Sequence, residues 1–210
     1  MNQKFGQAGW LVAAALGGVM FAGGFQPGQS KEGVVDIVKL GQESKVGLRN
    51  SEALRTAFLA RNGLMEFAAT QLVLTSEQAT KLRNLSLKDP ITEAEKTELE
   101  KLKEEIKASA KNFNDLNQKQ NPTDADRAML QDYNNRVQTI RRLLEAWNNE
   151  FTEELNRLEA NLRQQTIQTA KEVVRDLGKK QGYTIVFESQ VAPYGANDLT
   201  DAALKALNEK

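Results

Sequence analysis

From Asp124 to about Leu177 the apolar residues keep a seven-residue step, with Leu130, Val137, Leu144, Phe151 and Leu158 in line. Tyr133, Ile140 and Trp147 occupy the complementary positions. A repeat of this kind predicts one continuous helix with a narrow apolar seam. Its 54 residues would span about 80 Å at the rise of an α-helix. The register slips by four at Leu155 and Leu162, loosens through Thr166, Thr169 and Ala170, and closes on Val173, Val174 and Leu177. Gly178 is placed to cap its C-terminus.

A seam needs a facing seam. Leu99, Leu102, Ile106, Ser109, Phe113 and Leu116 step by three and four and supply one. Two similar signals frame that stretch, Asp89-Pro90 with Thr92 and Glu95, and Asn121-Pro122-Thr123 with Asp126. In each, proline stops one helix and a threonine and a carboxylate three residues on cap the next. Asn121-Pro122-Thr123 is therefore the expected tip of an antiparallel helical hairpin over residues 46–178. The stretch from Thr92 to Gln120 is too short to match the long helix. The segment from about Val46 to Leu87 must add to the same arm, with a break near 87–92. Leu54, Phe58, Met65, Ala69 and Leu72 read as its buried face, and Thr75 or Ser76 caps a short helix within it.

The two ends of the chain read differently. After a Gly/Pro/Gln/Ser linker, Val34–Leu40 ("VVDIVKL") is short and β-branched, as in a buried strand. At the other end Tyr183, Ile185 and Phe187 alternate with Thr184, Val186 and Glu188, the pattern of a half-buried strand. Gly195 and Asn197 supply a turn, and Thr200 caps a terminal helix with Leu199 and Leu204 as its hydrophobic staple. Two short strands and one helix make a poor independent sheet. Pooling strands between copies of the chain resolves this, and predicts no stable folded monomer.

Composition narrows function. The 210 residues include no histidine and no cysteine, which removes the commonest general base, thiolate metal sites and disulfides. The acidic groups Glu93/Glu95 and Glu150/Glu153/Glu154 sit among lysines and arginines, as exposed helix faces do, so neither catalysis, nor a metal, nor a cofactor is expected. Equal numbers of basic and acidic residues, 28 each, give no field to draw nucleic acid. Residues 1–24 read as an export signal. Lys4 precedes the apolar run Trp10–Phe25, which is shorter than the roughly 20 residues a membrane-spanning helix needs, and Ala22-Gly23-Gly24 offers a cleavage site. The alternative is an uncleaved anchor, the only part of the chain suited to touch a membrane.

The layout of signal, strand, helical hairpin, strand and terminal helix resembles the Skp/OmpH-like family of periplasmic chaperones. "VVDIVKLGQES" (Val34–Ser44) is similar to that family's first strand and helix entry. "YTIVFESQVAPYGANDLTDAALKAL" is similar to its closing strand, a Val191–Tyr194 step, Asp198-Leu199-Thr200 and the last helix. Pro193 falls where the family continues its strand, so the strand should end earlier here. The resemblance implies a mainly α protein in which a homotrimeric β-barrel body carries long helical tentacles. Their cavity would hold unfolded outer-membrane or exported proteins without ATP. The body would be built from 25–45 and 179–210, with Val35, Ile37, Val38, Tyr183, Ile185, Val186, Phe187, Tyr194 and Leu199 as its candidate residues. Leu99, Phe113, Met129, Tyr133, Trp147 and Phe151 are the candidate client contacts. The competing expectation is a structural spacer or tether of the cell envelope, held by its N-terminal segment.

Overall fold

The computed structural model describes residues 30–192, 195 and 197–209, so the expected signal, Pro193 and Tyr194 lie outside the described residues. The elements run β1 (Glu32–Val35), α1 (Ile37–Glu43), α2 (Lys45–Gln71), α3 (Ser76–Ser86), α4 (Glu93–Asn117), α5 (Asp124–Lys180), β2 (Ile185–Glu188) and α6 (Thr200–Asn208). At 57 residues, α5 is about 85 Å long and is the spine on which the rest is arranged. It ends later than expected. Gly182, at φ +73°, takes the left-handed turn after the helix, a conformation that only glycine adopts freely. Gly178 lies inside the helix instead, where an added Cβ would sit 3.4 Å from Val186. Its small size lets β2 approach the spine.

The first strand is shorter than the sequence implied. It stops at Val35 because the Asp36 carboxylate accepts a hydrogen bond from the Lys39 amide, 2.8 Å away, and caps a helix. Ile37 and Val38 are therefore helical, and the β-branched run from Val34 to Val38 is split between two elements. Ser44 then caps α2, and Gly47 packs so close that a Cβ would meet the Gly41 carbonyl at 1.7 Å. The terminal helix also starts differently. Leu199 occupies the cap position, while the Thr200 hydroxyl accepts from the Asp36 amide at 2.9 Å and the Asp198 carboxylate accepts from the Thr200 amide at 2.8 Å. Thr200 thus ties α6 to the cap of α1.

β1 and β2 pair in parallel, Glu32 opposite Ile185 through Val35 opposite Glu188. A parallel pair requires a crossover connection, and here the whole arm is that crossover. On the other side of β1, the Val34 amide donates to the Asn197 carbonyl and the Leu199 amide to the Val34 carbonyl, both at 2.8 Å. β1 is central and β2 lies beside it. Below the sheet, Val35, Leu40, Ala170, Val173, Val174, Ala203 and Leu207 form the core of the body.

Along the arm the helices follow one another through short turns. α4 ends at Asn117, and Thr123 and Asp126 form a capping box at the start of α5, with further boxes at Thr75/Gln78 and Thr92/Glu95. Between α2 and α4, however, the chain doubles back. Leu72 leaves α2 in the left-handed conformation (φ 53°), and Val73 and Leu74 are buried at the corner. Val73 packs with Tyr133 and Val137, whereas Arg83, further along α3, reaches Glu150 of α5 at 2.6 Å. α3 therefore runs from the tip side back towards the body, antiparallel to α2 and α4. This absorbs the residues that a two-helix arm leaves over. The end of α2, α3, the start of α4 and the middle of α5 meet in a four-helix node whose core holds Leu64, Ala68, Leu74, Ala79, Leu82, Leu102, Ile106, Ile140, Trp147 and Phe151.

Two of the capping carboxylates carry a pH signature. Lys88, with help from the Thr92 cap, holds Glu95 down from 4.5 to about 2. Lys119, with the Thr123 cap, holds Asp126 down from 3.8 to about 2. A lowered carboxylate stabilises the fold fully above its ordinary value and loses that contribution as pH falls towards its folded value. The N-termini of α4 and α5 are therefore expected to fray between the ordinary carboxylate range and pH of about 2. Glu95→Gln with Asp126→Asn should produce the same fraying at neutral pH, read by amide exchange of the first turns.

Candidate functional surfaces

The residues expected in the oligomer body divide by exposure. Val35 and Leu199 are buried within the protomer, Ile37, Tyr183 and Val186 are half-buried, and Val38 is exposed on α1. On β2 the alternation faces opposite to a protomer core. Val186 turns to the body's apolar cluster, while Ile185 (46%) and Phe187 (36%) stand exposed, with Val191 (76%) just beyond. Beside them, Glu188 Oε1 is buried without a hydrogen-bond partner among the described residues. Such an atom is costly unless something completes it.

The aromatic residues singled out along the arm are mostly spent inside it. Trp147 and Phe151 (4% exposed each) stack at 6.2 Å in the node. The Arg83 guanidinium lies 5.2 Å from the Phe151 ring and 5.8 Å from Trp147, with Arg61 at 5.6 Å from Phe151. Those two arginines engage Glu154 and Glu150, so this acidic cluster is committed to ion pairs. Tyr133 is buried against half-buried Phe113, rings 5.5 Å apart, with its hydroxyl accepting from Asn112. Leu99 is half-buried against the node, and Met129 alone of the six is exposed, at 45%.

Along the arm, the apolar side chains that do face outward lie mainly on α2, where sequence periodicity misses them or turns them inward. Leu48, Phe58 and Leu59 are each more than half exposed. The buried face of α2 runs instead through Gly47, Leu64 and Ala68. Between α2 and α5 a groove climbs from the body. Its lower cavity, about 640 Å³, is lined by Ile37, Val38, Leu54, Leu162, Ile167 and Glu188 among others. It continues past Leu54, Phe58 and Leu155 to Met65. Among the described residues no group of three acidic side chains could hold a metal ion, and no helix is long and apolar enough to cross a membrane.

Compared with known proteins, the chain matches one family model, described as outer membrane protein (OmpH-like), over residues 31–207. No curated protein and no solved structure matches it.

Proposed function

The chain belongs to the OmpH-like outer membrane protein family, and on that premise we propose that it is a periplasmic holdase chaperone that works as an oligomer without ATP. The family is one of periplasmic chaperones, which gives the class; the finer reading rests on surfaces of this chain. The observation that carries it is the set of apolar side chains left open along the arm, Phe58 in the groove, Leu48 and Leu59 elsewhere on α2, and Met129 nearer the tip. Each offers a weak contact. Several arms around one cavity would convert weak contacts into useful retention, because every further contact is intramolecular. Unfolded outer-membrane or exported proteins, with apolar segments accessible to solvent, are the clients this suits.

The assembly that would create the cavity uses the other open surface. Residues 25–45 and 179–210 form the body in this reading, and 46–178 the arm. A second copy set against Ile185, Phe187 and Val191 would cover their apolar area and could bring a donor to Glu188 Oε1. A homotrimer is the arrangement the family resemblance favours.

Phe58→Ser together with Leu59→Ser tests the client surface. Both residues are exposed, so the fold should change by no more than about 0.5 kcal/mol per site. Retention of an unfolded β-barrel client should weaken several-fold while the assembled mass stays the same. Undiminished retention would move the client surface elsewhere.

A further inference from the structure

Every helix of the node except α3 runs on beyond it, α2 and α5 to the body and α4 to the tip. The node alone holds α3. It contributes three buried side chains, Ala79, Leu82 and Leu85, three residues apart along one face. Ala79 and Leu82 pack into a cluster that includes Leu64 of α2, Leu102 and Ile106 of α4, and Ile140, Trp147 and Phe151 of α5, each at most 4% exposed. Local chemistry does little to keep α3 in place. Ser76, Thr80, Asn84 and Ser86, four of its eleven residues, are weak helix formers, and a helix this short is marginal in water without packing. Its ion pairs to the neighbours, Lys81 with Glu98 and Arg83 with Glu150, join side chains between a quarter and a half exposed, where solvent screens them.

The corner that leads into α3 is strained. Leu72 closes α2 at φ 53° and ψ −14°, the one non-glycine among the described residues with a positive φ. A helix that ends in this conformation normally places glycine there, because a side chain is crowded in the left-handed region. The Val73 amide then donates back to the Gln71 carbonyl at 2.7 Å, a turn tighter than a β-turn. No glycine, proline or asparagine lies between Thr70 and Thr75 to ease the bend. Burial imposes it instead. Val73 and Leu74 are each 1% exposed yet sit in different cores, Val73 with Tyr133 and Val137 and Leu74 in the node. Backbone strain of this kind persists only where the surroundings over-determine it, and it gathers at switch regions.

We propose that α3 is a releasable strap: it lifts from the node together with Leu74 and bares an apolar face on α2, α4 and α5, which takes an apolar segment of an unfolded polypeptide in its place. Elements with few buried contacts open first, and α3 has the fewest in the node. Once Leu74 leaves, only Val73 still holds the corner, and Leu72 can return to the ordinary helical region. That relief offsets part of the lost burial. The remaining helices stay joined through Arg61 with Glu154 and through Phe113 with Tyr133, so the change is internal to the node and needs no bending of the arm. The strap itself shows what fits beneath it, a short segment with apolar side chains three residues apart and a cation near the Phe151 ring, where Arg83 lies at 5.2 Å. An amphipathic segment laid into an apolar groove is a recurrent mode of peptide recognition. The occupant rests on the chaperone reading; the lifting of α3 rests on packing and backbone geometry alone.

Amide exchange of the full-length protein, without client, reads the strap directly. Protection at 79–85 should be at least tenfold lower than at 102–106 in α4, and equal protection would overturn the strap. Leu72→Gly and Leu72→Ala both remove the leucine packing, but only glycine adopts the left-handed corner freely. Protection at 79–85 should therefore be roughly fivefold higher in Leu72→Gly than in Leu72→Ala, and no difference would remove the corner as the source of release. For the occupant, Lys81→Cys with Glu98→Cys places one thiol on α3 and one on α4, where the side chains already pair, in a chain with no other cysteine. Joining them with a short bis-maleimide pins the strap. Retention of an unfolded β-barrel client should fall several-fold on joining, while the same variant left unjoined retains as the parent does. Undiminished retention by the pinned protein would overturn the proposed occupant. A parent that retains no client would instead sink the chaperone reading, and the exchange measurement would still decide the strap.

Discussion

Replacing Trp147 by alanine should dissolve the middle of the arm while leaving the body folded. The indole is 4% exposed, stacks on Phe151 and lies beneath Arg83, so its removal leaves a void bounded by four helices that cannot all collapse inward. Truncating a buried aromatic residue typically costs about 3–5 kcal/mol. That is a large share of what a node of this size can hold, since whole domains retain only about 5–15 kcal/mol. Amide protection at 79–85 and 102–106 should fall steeply, while protection at 170–174 in the body persists. Leu158→Ala is the contrast. Its side chain continues the heptad series of Phe151 but sits half-buried beyond the node, and its loss should cost under about 1 kcal/mol. Comparable losses from the two substitutions would mean that the arm is packed evenly and has no node.

Strand counting from the sequence leaves no stable folded monomer, but the body has a core of its own in Val35, Leu40, Ala170, Val173 and Ala203, so Ile185→Asp with Phe187→Asp should abolish assembly without unfolding the protomer. In the single chain both side chains face solvent, so carboxylates there meet water and disturb little. In an assembly that covers this face, each charge would be buried without a partner, at a cost of several kcal/mol. Light scattering should report a multiple of the chain mass for the parent and a single chain for the variant, with helical content largely kept. A variant that still assembles would place the subunit contact on another surface.

Local sequence signals located most elements well. The three threonine caps at Thr75, Thr92 and Thr123, the turn near Asn121 and the long helix all rest on residues a few positions apart, where chemistry decides structure directly. The reversal of α3 was illegible because no local signal encodes it. Thr75 announces a helix start, but the direction depends on where Val73 and Leu74 find burial, against residues some 60 positions away such as Tyr133 and Val137. The run Val34–Val38 failed for the opposite reason, since β-branched composition was read past a capping aspartate at Asp36. Periodicity misled at Phe58, which steps correctly from Leu54 and Met65 yet stands on the flank of α2, because its neighbours Ala57, Arg61 and Leu64 face the spine. The register slip at Leu155, by contrast, is legible in the sequence, and from there Leu155, Leu158 and Leu162 are only half-buried.

Assembled chains are expected to hold unfolded proteins soluble. An unfolded outer-membrane β-barrel protein diluted from denaturant, with the protein present at about one assembly per client and no nucleotide added, is the direct test. Suppressed light scattering, with the client recovered in a stable complex of defined mass, is the result expected. Aggregation as fast as in the protein's absence would contradict the chaperone reading, and leave the arm a spacer.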